Sequence, residues 1–193
     1  MYLLSGQNHK TGVWNLKSDF KDTKYATFYR KLLNSRRLQD EAQKYGYRLE
    51  FKVHPTYQTY ISDFGFQEAV AVIGPEVSYS EIFCRSSLVI TDYSSSIYDF
   101  IYLMKPVIYC HFDADDFFSG SHIYDKGSFD YERDGFGEVT YELEDTIDMI
   151  IQYIQTECAL HEPYRKRIEA AFPAREANHC EQIYRMIKSK SNS

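Results

Sequence analysis

Leu88-Val89-Ile90-Thr91-Asp92-Tyr93-Ser94-Ser95-Ser96 is the stretch from which the fold can be read. Its first four residues are a short, continuous apolar run rich in branched side chains. Such a run suits a strand covered on both faces better than a surface element. The run breaks at Asp92, and the three serines lead into an apolar helix over Ile97–Leu103, which Lys105-Pro106 ends. Val107-Ile108-Tyr109-Cys110 then repeats the buried-strand pattern. Upstream, Arg48–Val53 alternates as a strand and stops at His54-Pro55, because proline cannot continue a hydrogen-bonded ladder and a loop begins. Ala69–Ile73 reads as a further short strand, Gly74-Pro75 as a turn and Tyr79–Ser86 as a short helix. Strands and helices alternating at this spacing predict an α/β fold, a Rossmann-like parallel sheet flanked by helices.

Working outward, residues 1–24 show no period and read as an irregular arm. Phe28, Leu32, Leu33, Leu38 and Ala42 predict one helix over Ala26–Tyr45, with Gly46 as its stop. Asp113–Gly137 is a long acidic loop rich in aromatics and glycine. Loops of that length inside a compact domain usually serve function, and this one comes after a strand whose end should face the ligand crevice. Glu138-Val139-Thr140 can add an edge strand. Helices over Leu143–Thr156, Pro163–Ala171 and Arg175–Lys188 close one domain, residues 25–188, before a tail at 189–193.

The net charge of −6 argues against a nucleic-acid-binding surface, which would be basic, but not against one bound nucleotide. The four cysteines form no Cys-x-x-Cys pair, so reduced thiols and no zinc site are expected. No apolar run reaches the roughly 18 residues of a membrane-spanning helix, and Met1–Lys10 lacks the blocks of a secretion signal. These features lead to the expectation of a cytosolic protein. The 18 Tyr and 13 Phe have two readings, an aromatic core or a cleft that faces a sugar or a base.

Three groups can carry chemistry. Ser94, Ser95 and Ser96 come after a strand end and open a helix, where free backbone N–H groups and small hydroxyls suit a phosphate; the plainer reading is helix capping. His54, at the end of another strand, could donate to a phosphate oxygen or protonate a leaving group, or it could be structural. Asp92 could orient a serine or a ribose hydroxyl, whereas Asp99, inside the helix, suits an internal pair. The acidic residues Asp113, Asp115 and Asp116 match no calcium-loop spacing and read as a solvated face.

Taken together, Lys52-Val53-His54-Pro55, the run Leu88–Ser95, Asp99-Phe100, Lys105-Pro106-Val107-Ile108-Tyr109, Phe112-Asp113, Phe136-Gly137, Tyr164–Ile168 and Asn178-His179-Cys180 resemble the CDP-glycerol glycerophosphotransferase family, which includes the teichoic acid polymerases. The resemblance implies the C-terminal, donor-binding lobe of a GT-B transferase. It makes His54 and Pro55 line the nucleotide site, with His54 also the candidate catalytic residue. It makes Ser94 and Ser95, with Ser96, grip a diphosphate, and gives Asp92 and Asp99 supporting roles. The implied donor is CDP-glycerol or a related CDP-polyol, with no metal or other cofactor. The implied acceptor is a polyol phosphate or glycolipid, reached through an N-terminal lobe with a His-Gly motif that these residues do not match. Peripheral contact of the complete enzyme with the membrane is implied by such an acceptor. The expectation is therefore a truncated gene, a split subunit or an expressed fragment. Two other classes stay open: a non-catalytic CDP-ligand-binding module, and the donor lobe of a CMP-sugar glycosyltransferase. Cys110-His111 departs from the family, which usually carries an aromatic residue or Gln there.

Overall fold

The computed structural model describes residues 4–7, 14–16, 20–53, 55–117, 128–173 and 178–191. Two short strands, β1 (Leu4–Gln7) and β2 (Trp14–Leu16), pair antiparallel within the stretch expected to be irregular. A single helix was expected next, but the chain forms two, α1 (Lys24–Leu33) and α2 (Arg36–Lys44). The break has a local and a tertiary cause. Ser35 caps α2 by accepting from the Leu38 N–H at 3.4 Å. The Asn34 amide reaches outward, donating to Gly65 O at 2.9 Å and accepting from Gln67 N at 3.1 Å. Gln39 Nε2 then takes up the open Leu33 carbonyl at 2.7 Å. Side chains that compete for backbone groups in this way favour helix ends over helix interiors. Gly46 ends α2 at φ +77°, and Tyr47 N donates to Ala42 O at 2.8 Å, closing the last turn through a left-handed residue that glycine adopts without strain.

The other strands are all parallel, as the alternating pattern predicts. β3 (Leu49–Lys52) pairs with β4 (Val70–Ile73), Leu49 opposite Val70 and Lys52 opposite Ile73. The segment between them, expected to be a loop, is a 3-10 helix over Pro55–Phe64. β5 (Val89–Thr91), β6 (Val107–Cys110) and β7 (Glu138–Thr140) form a second parallel group in that order. Crossover helices α3 (Tyr79–Arg85) and α4 (Ile97–Tyr102) lead into β5 and β6. Two single turns, α5 (Ala114–Phe117) and α6 (Tyr131–Asp134), lie between β6 and β7. Three helices close the chain: α7 (Leu143–Gln155), α8 (Glu162–Ala171) and α9 (His179–Ser191), the last running into the expected tail.

The period of two in the strands splits the core between the two faces. Ile108 and Cys110 of β6 pack with α1, α2 and α7 on one side, while Val107 and Tyr109 pack with α3, α4 and Ile168 of α8 on the other. Most aromatic rings serve the first cluster. Phe20, Tyr25, Phe51 and Phe64 are buried and in ring contact, and Phe28 stacks on Phe112 at 4.1 Å. The buried aromatic core is therefore real, and a smaller set of rings is left for the strand ends.

Candidate functional site

A cleft of about 1790 Å³ opens where β5 and β6 end. Asp92 to Tyr98 leave β5 along its rim, with His111 from β6 beside them. Phe129, Asp130, Tyr131 and Glu132, from the long loop, close it from above. The described part of that loop thus lies over the strand ends, as its place in the sequence predicts. Lys52 and Tyr57 bring the end of β3 and the 3-10 helix to the same cleft. His54 lies outside the described residues; Pro55 opens the 3-10 helix.

The serines are presented rather than used up. Ser94 and Ser95 are exposed and Ser96 is half-buried. Ser96 stands at the N-cap of α4 but makes no side-chain capping bond; its hydroxyl pairs with that of Ser94 at 2.8 Å. A hydroxyl pair that leaves the helix end uncapped keeps donors for something else. Asp92 is half-buried at the strand end. Burial pushes the phenols of Tyr25 and Tyr57 well up, and the Asp92 carboxylate adds to both. This carboxylate gives the aromatic floor a negative charge, which suits a hydroxyl donor and repels a phosphate. Asp99 is exposed in the first turn of α4 and is not among the residues that line the cleft.

His111 is the residue that sequence reasoning left out of the site. It is 4% exposed, and its Nε2 is buried with no hydrogen-bond partner among the described residues. The ring stacks on Tyr93 at 4.2 Å and meets Tyr131 edge-on at 4.5 Å. Burial pushes the imidazole down to about 4, so it is neutral at neutral pH and free to donate or accept into the cleft. Its signal was available, because a histidine directly after a buried strand was the argument made for His54. Asp113 was read as part of a solvated face, but it is 3% exposed; Asp115 alone of the described acidic side chains there is exposed. Among the described residues, no group of three or more His, Cys, Asp or Glu side chains could hold a metal ion.

The other quoted motifs turn out to be framework. Lys105 donates to the carbonyls of Phe83, Cys84 and Ser86 at 2.7–2.8 Å and so caps the end of α3. Gly137 lies against β6, where a Cβ would sit 1.9 Å from Val107 O. Arg167 of α8 donates to Gly135 O at 2.7 Å and Glu132 O at 3.1 Å, tying down the loop that covers the cleft. His179 Nε2 and the Tyr102 hydroxyl, 2.8 Å apart, join α9 to α4.

Parallel strands flanked by helices, with a crevice at the carboxyl ends of the strands, define an α/β lobe of the doubly wound kind, in which ligands bind at that edge. The chain belongs to the CDP-Glycerol:Poly(glycerophosphate) glycerophosphotransferase family, which matches residues 17–189. It is 32% identical over 182 residues to the minor teichoic acid biosynthesis protein GgaB of Bacillus subtilis (strain 168), a match covering 94% of this chain and 20% of that protein. The structure of the wall teichoic acid polymerase TagF superposes with a TM-score of 0.56 at 20% identity, over 82% of this chain and 38% of that one. That likeness is one of fold, consistent with a GT-B-like C-terminal lobe. The chain thus spans about a fifth of the curated relative it matches.

Proposed function

We propose that the cleft at the ends of β5 and β6 binds a CDP-linked polyol, CDP-glycerol or a relative, as the donor for building a polyol-phosphate polymer. The observation that carries this is the pair of exposed hydroxyls, Ser94 and Ser95, presented into a cleft with no capping duty, in a chain of the glycerophosphotransferase family. Ser94, Ser95 and Ser96 hold the diphosphate through hydroxyl and backbone donors. Asp92 accepts from a ribose or polyol hydroxyl, which agrees with its charge. His54 and Pro55 line the nucleotide side. In the transfer, an acceptor hydroxyl oxygen bonds to the β-phosphorus, the bond from that phosphorus to the bridging oxygen breaks, and CMP leaves with the electron pair. Such transfers depend on positioning and on stabilising charge at the phosphate oxygens. In this reading His54 also donates to the departing phosphate. The acceptor is a polyol phosphate or glycolipid at the inner membrane face, and the base that takes its proton is supplied by a second lobe.

Calorimetric titration of CDP, CMP, CDP-glycerol and cytidine tests the reading. Hydrogen bonds to charged groups contribute about 1.5–3 kcal/mol each, so Ser94→Ala with Ser95→Ala should weaken CDP at least about tenfold. Cytidine, which has no phosphate, should bind as before. If CDP affinity is unchanged in the folded double variant, the diphosphate does not sit at these serines.

A further inference from the structure

His111 Nε2 is a buried polar atom with no hydrogen-bond partner among the described residues. Leaving such a group unpaired is costly, so a chain that keeps one needs a reason. The rest of the residue is fixed in place. Its N–H donates to Thr140 O at 2.8 Å, extending the β6–β7 ladder, and its carbonyl accepts from Ala114 N at 3.1 Å. The ring lies nearly parallel to Tyr93, 14° apart in plane, and Tyr131 meets it edge-on. The acidic neighbours on the cleft loop are already engaged. Asp130 accepts from Arg133 N at 2.8 Å, and Glu132 accepts from the Tyr141 hydroxyl at 2.8 Å. The imidazole nitrogen is thus positioned by its surroundings without being bonded by them.

The order of the cleft walls decides which part of a ligand reaches this nitrogen. Lys52 and Tyr57 bring β3 and the 3-10 helix to one end, and His111 and Tyr141, which follow β6 and β7, stand at the other. Both edges of β6 are taken, by β5 and β7. The cleft lining carries β3 residues beside β5 residues, so β3 approaches from the side of β5 away from β6. Ser94 to Ser96, which follow β5, therefore lie between the two ends. With the nucleotide on the β3 side and the diphosphate on the serines, the β6 end is left for the group esterified to the β-phosphate. The chemistry there suits a neutral, hydroxyl-bearing group. Asp130 and Glu132 line this end, and their carboxylates repel a further phosphate. Burial keeps the imidazole uncharged at neutral pH, so it offers an anion no charge attraction. A hydroxyl both donates and accepts, and so matches either ring tautomer.

On the reading of this cleft as a donor site, we propose that His111 determines donor specificity: its Nε2 forms a hydrogen bond with a hydroxyl of the polyol beyond the β-phosphate, while Tyr93 holds the ring flat. Nε2 is closed off in the free chain, so the Tyr131 ring that lies edge-on against the imidazole shifts aside as the hydroxyl enters. A donor that ends in hydrocarbon at this point leaves the nitrogen buried and unpaired, and is rejected for that reason.

The test is calorimetric titration of the whole chain with CDP, CDP-glycerol and the propyl ester of CDP, which keeps the carbon chain of glycerol and drops its free hydroxyls. Wild-type protein should bind CDP-glycerol about fivefold or more tighter than the propyl ester, the yield of one neutral hydrogen bond. In His111→Phe, which keeps a flat ring on Tyr93, that ratio should fall to about one while CDP binds as before. His111→Gln, which restores a neutral donor and acceptor, should recover part of the preference. The imidazole nitrogen resonances of wild-type protein give a second measurement that needs no substitution and decides the matter if the variants do not fold. The His111 Nε2 resonance should move on saturation with CDP-glycerol and much less with the propyl ester. The inference is overturned if His111→Phe keeps the wild-type ratio, or if CDP-glycerol leaves the Nε2 resonance where it was. It is overturned equally if His111→Phe weakens CDP as much as CDP-glycerol, since the ring would then serve the nucleotide or the diphosphate. Wild-type protein that binds none of the three ligands refutes the donor reading and this inference together. Binding of CDP that depends on Ser94 and Ser95, with no effect of His111, refutes this inference alone.

Discussion

Acid should weaken this fold through His111 before it acts through the Glu50 carboxylate. The ring is 4% exposed, stacked on Tyr93 and met edge-on by Tyr131, and burial holds it at about 4 against an ordinary value of 6.5. At pH 7 it is neutral in the folded chain and mostly neutral in the unfolded one, so it contributes little there. Between 6.5 and 4 the unfolded chain takes a proton that the folded chain refuses, so the unfolded state binds more protons and stability falls as pH falls. A gap of about 2.5 units at about 1.4 kcal/mol each gives a loss of about 3 kcal/mol, complete near pH 4. A domain of this kind has only about 5–15 kcal/mol in total. Burial pushes the Glu50 carboxyl up, but hydrogen bonds from Arg85 and Arg48 outweigh it and hold it below 4.5, so its contribution is present above 4.5 and is lost only as pH falls below that value. His111→Phe keeps a flat ring for the stack and removes the titration. Urea unfolding midpoints at several pH values from 7 to 4.5 should fall steeply for the wild-type protein and much less for the variant. Parallel curves for the two proteins would show that His111 is not held neutral by burial, and would withdraw it as an uncharged group facing the cleft.

The framework residues give two further outcomes. Lys105→Met leaves the Phe83, Cys84 and Ser86 carbonyls without their charged donor and should cost about 2 kcal/mol in urea unfolding, whereas Lys105→Arg should recover part of the loss. Gly137→Ala drives a Cβ to 1.9 Å from the Val107 carbonyl, so β6 and β7 must separate; a loss of about 3 kcal/mol or more is expected, visible as loss of the folded fraction on expression and a lowered melting point.

How much could be read beforehand depended on how local the cause was. The strands over Leu49–Lys52, Val70–Ile73, Val89–Thr91 and Val107–Cys110 were each predicted within a residue or two, because short branched apolar runs bounded by Gly, Pro and Asp leave few alternatives. The serines and Asp92 could be placed at a strand end for the same reason. The break at Asn34-Ser35 was missed because it depends on Gly65 and Gln67, some thirty residues away. The 3-10 helix over Pro55–Phe64 was missed because proline marks where a strand stops without fixing the conformation of the residues after it.

By itself, the sequence determined a parallel α/β lobe, its order of elements and the residues that cluster at the ends of its strands, all of which come from periodicity and turn chemistry along the chain. It could not determine that Asp113 and His111 are buried while Asp99 is exposed, since burial is set by what packs from elsewhere. Lys105 and Arg167 could be read only as members of short motifs, and the three-dimensional path of the chain showed them capping α3 and anchoring the cleft loop. Which strands pair was likewise decided by tertiary structure. Each strand carries the same apolar code whether its edge is paired or open, because backbone hydrogen bonds between strands leave no mark on the side chains that encode them.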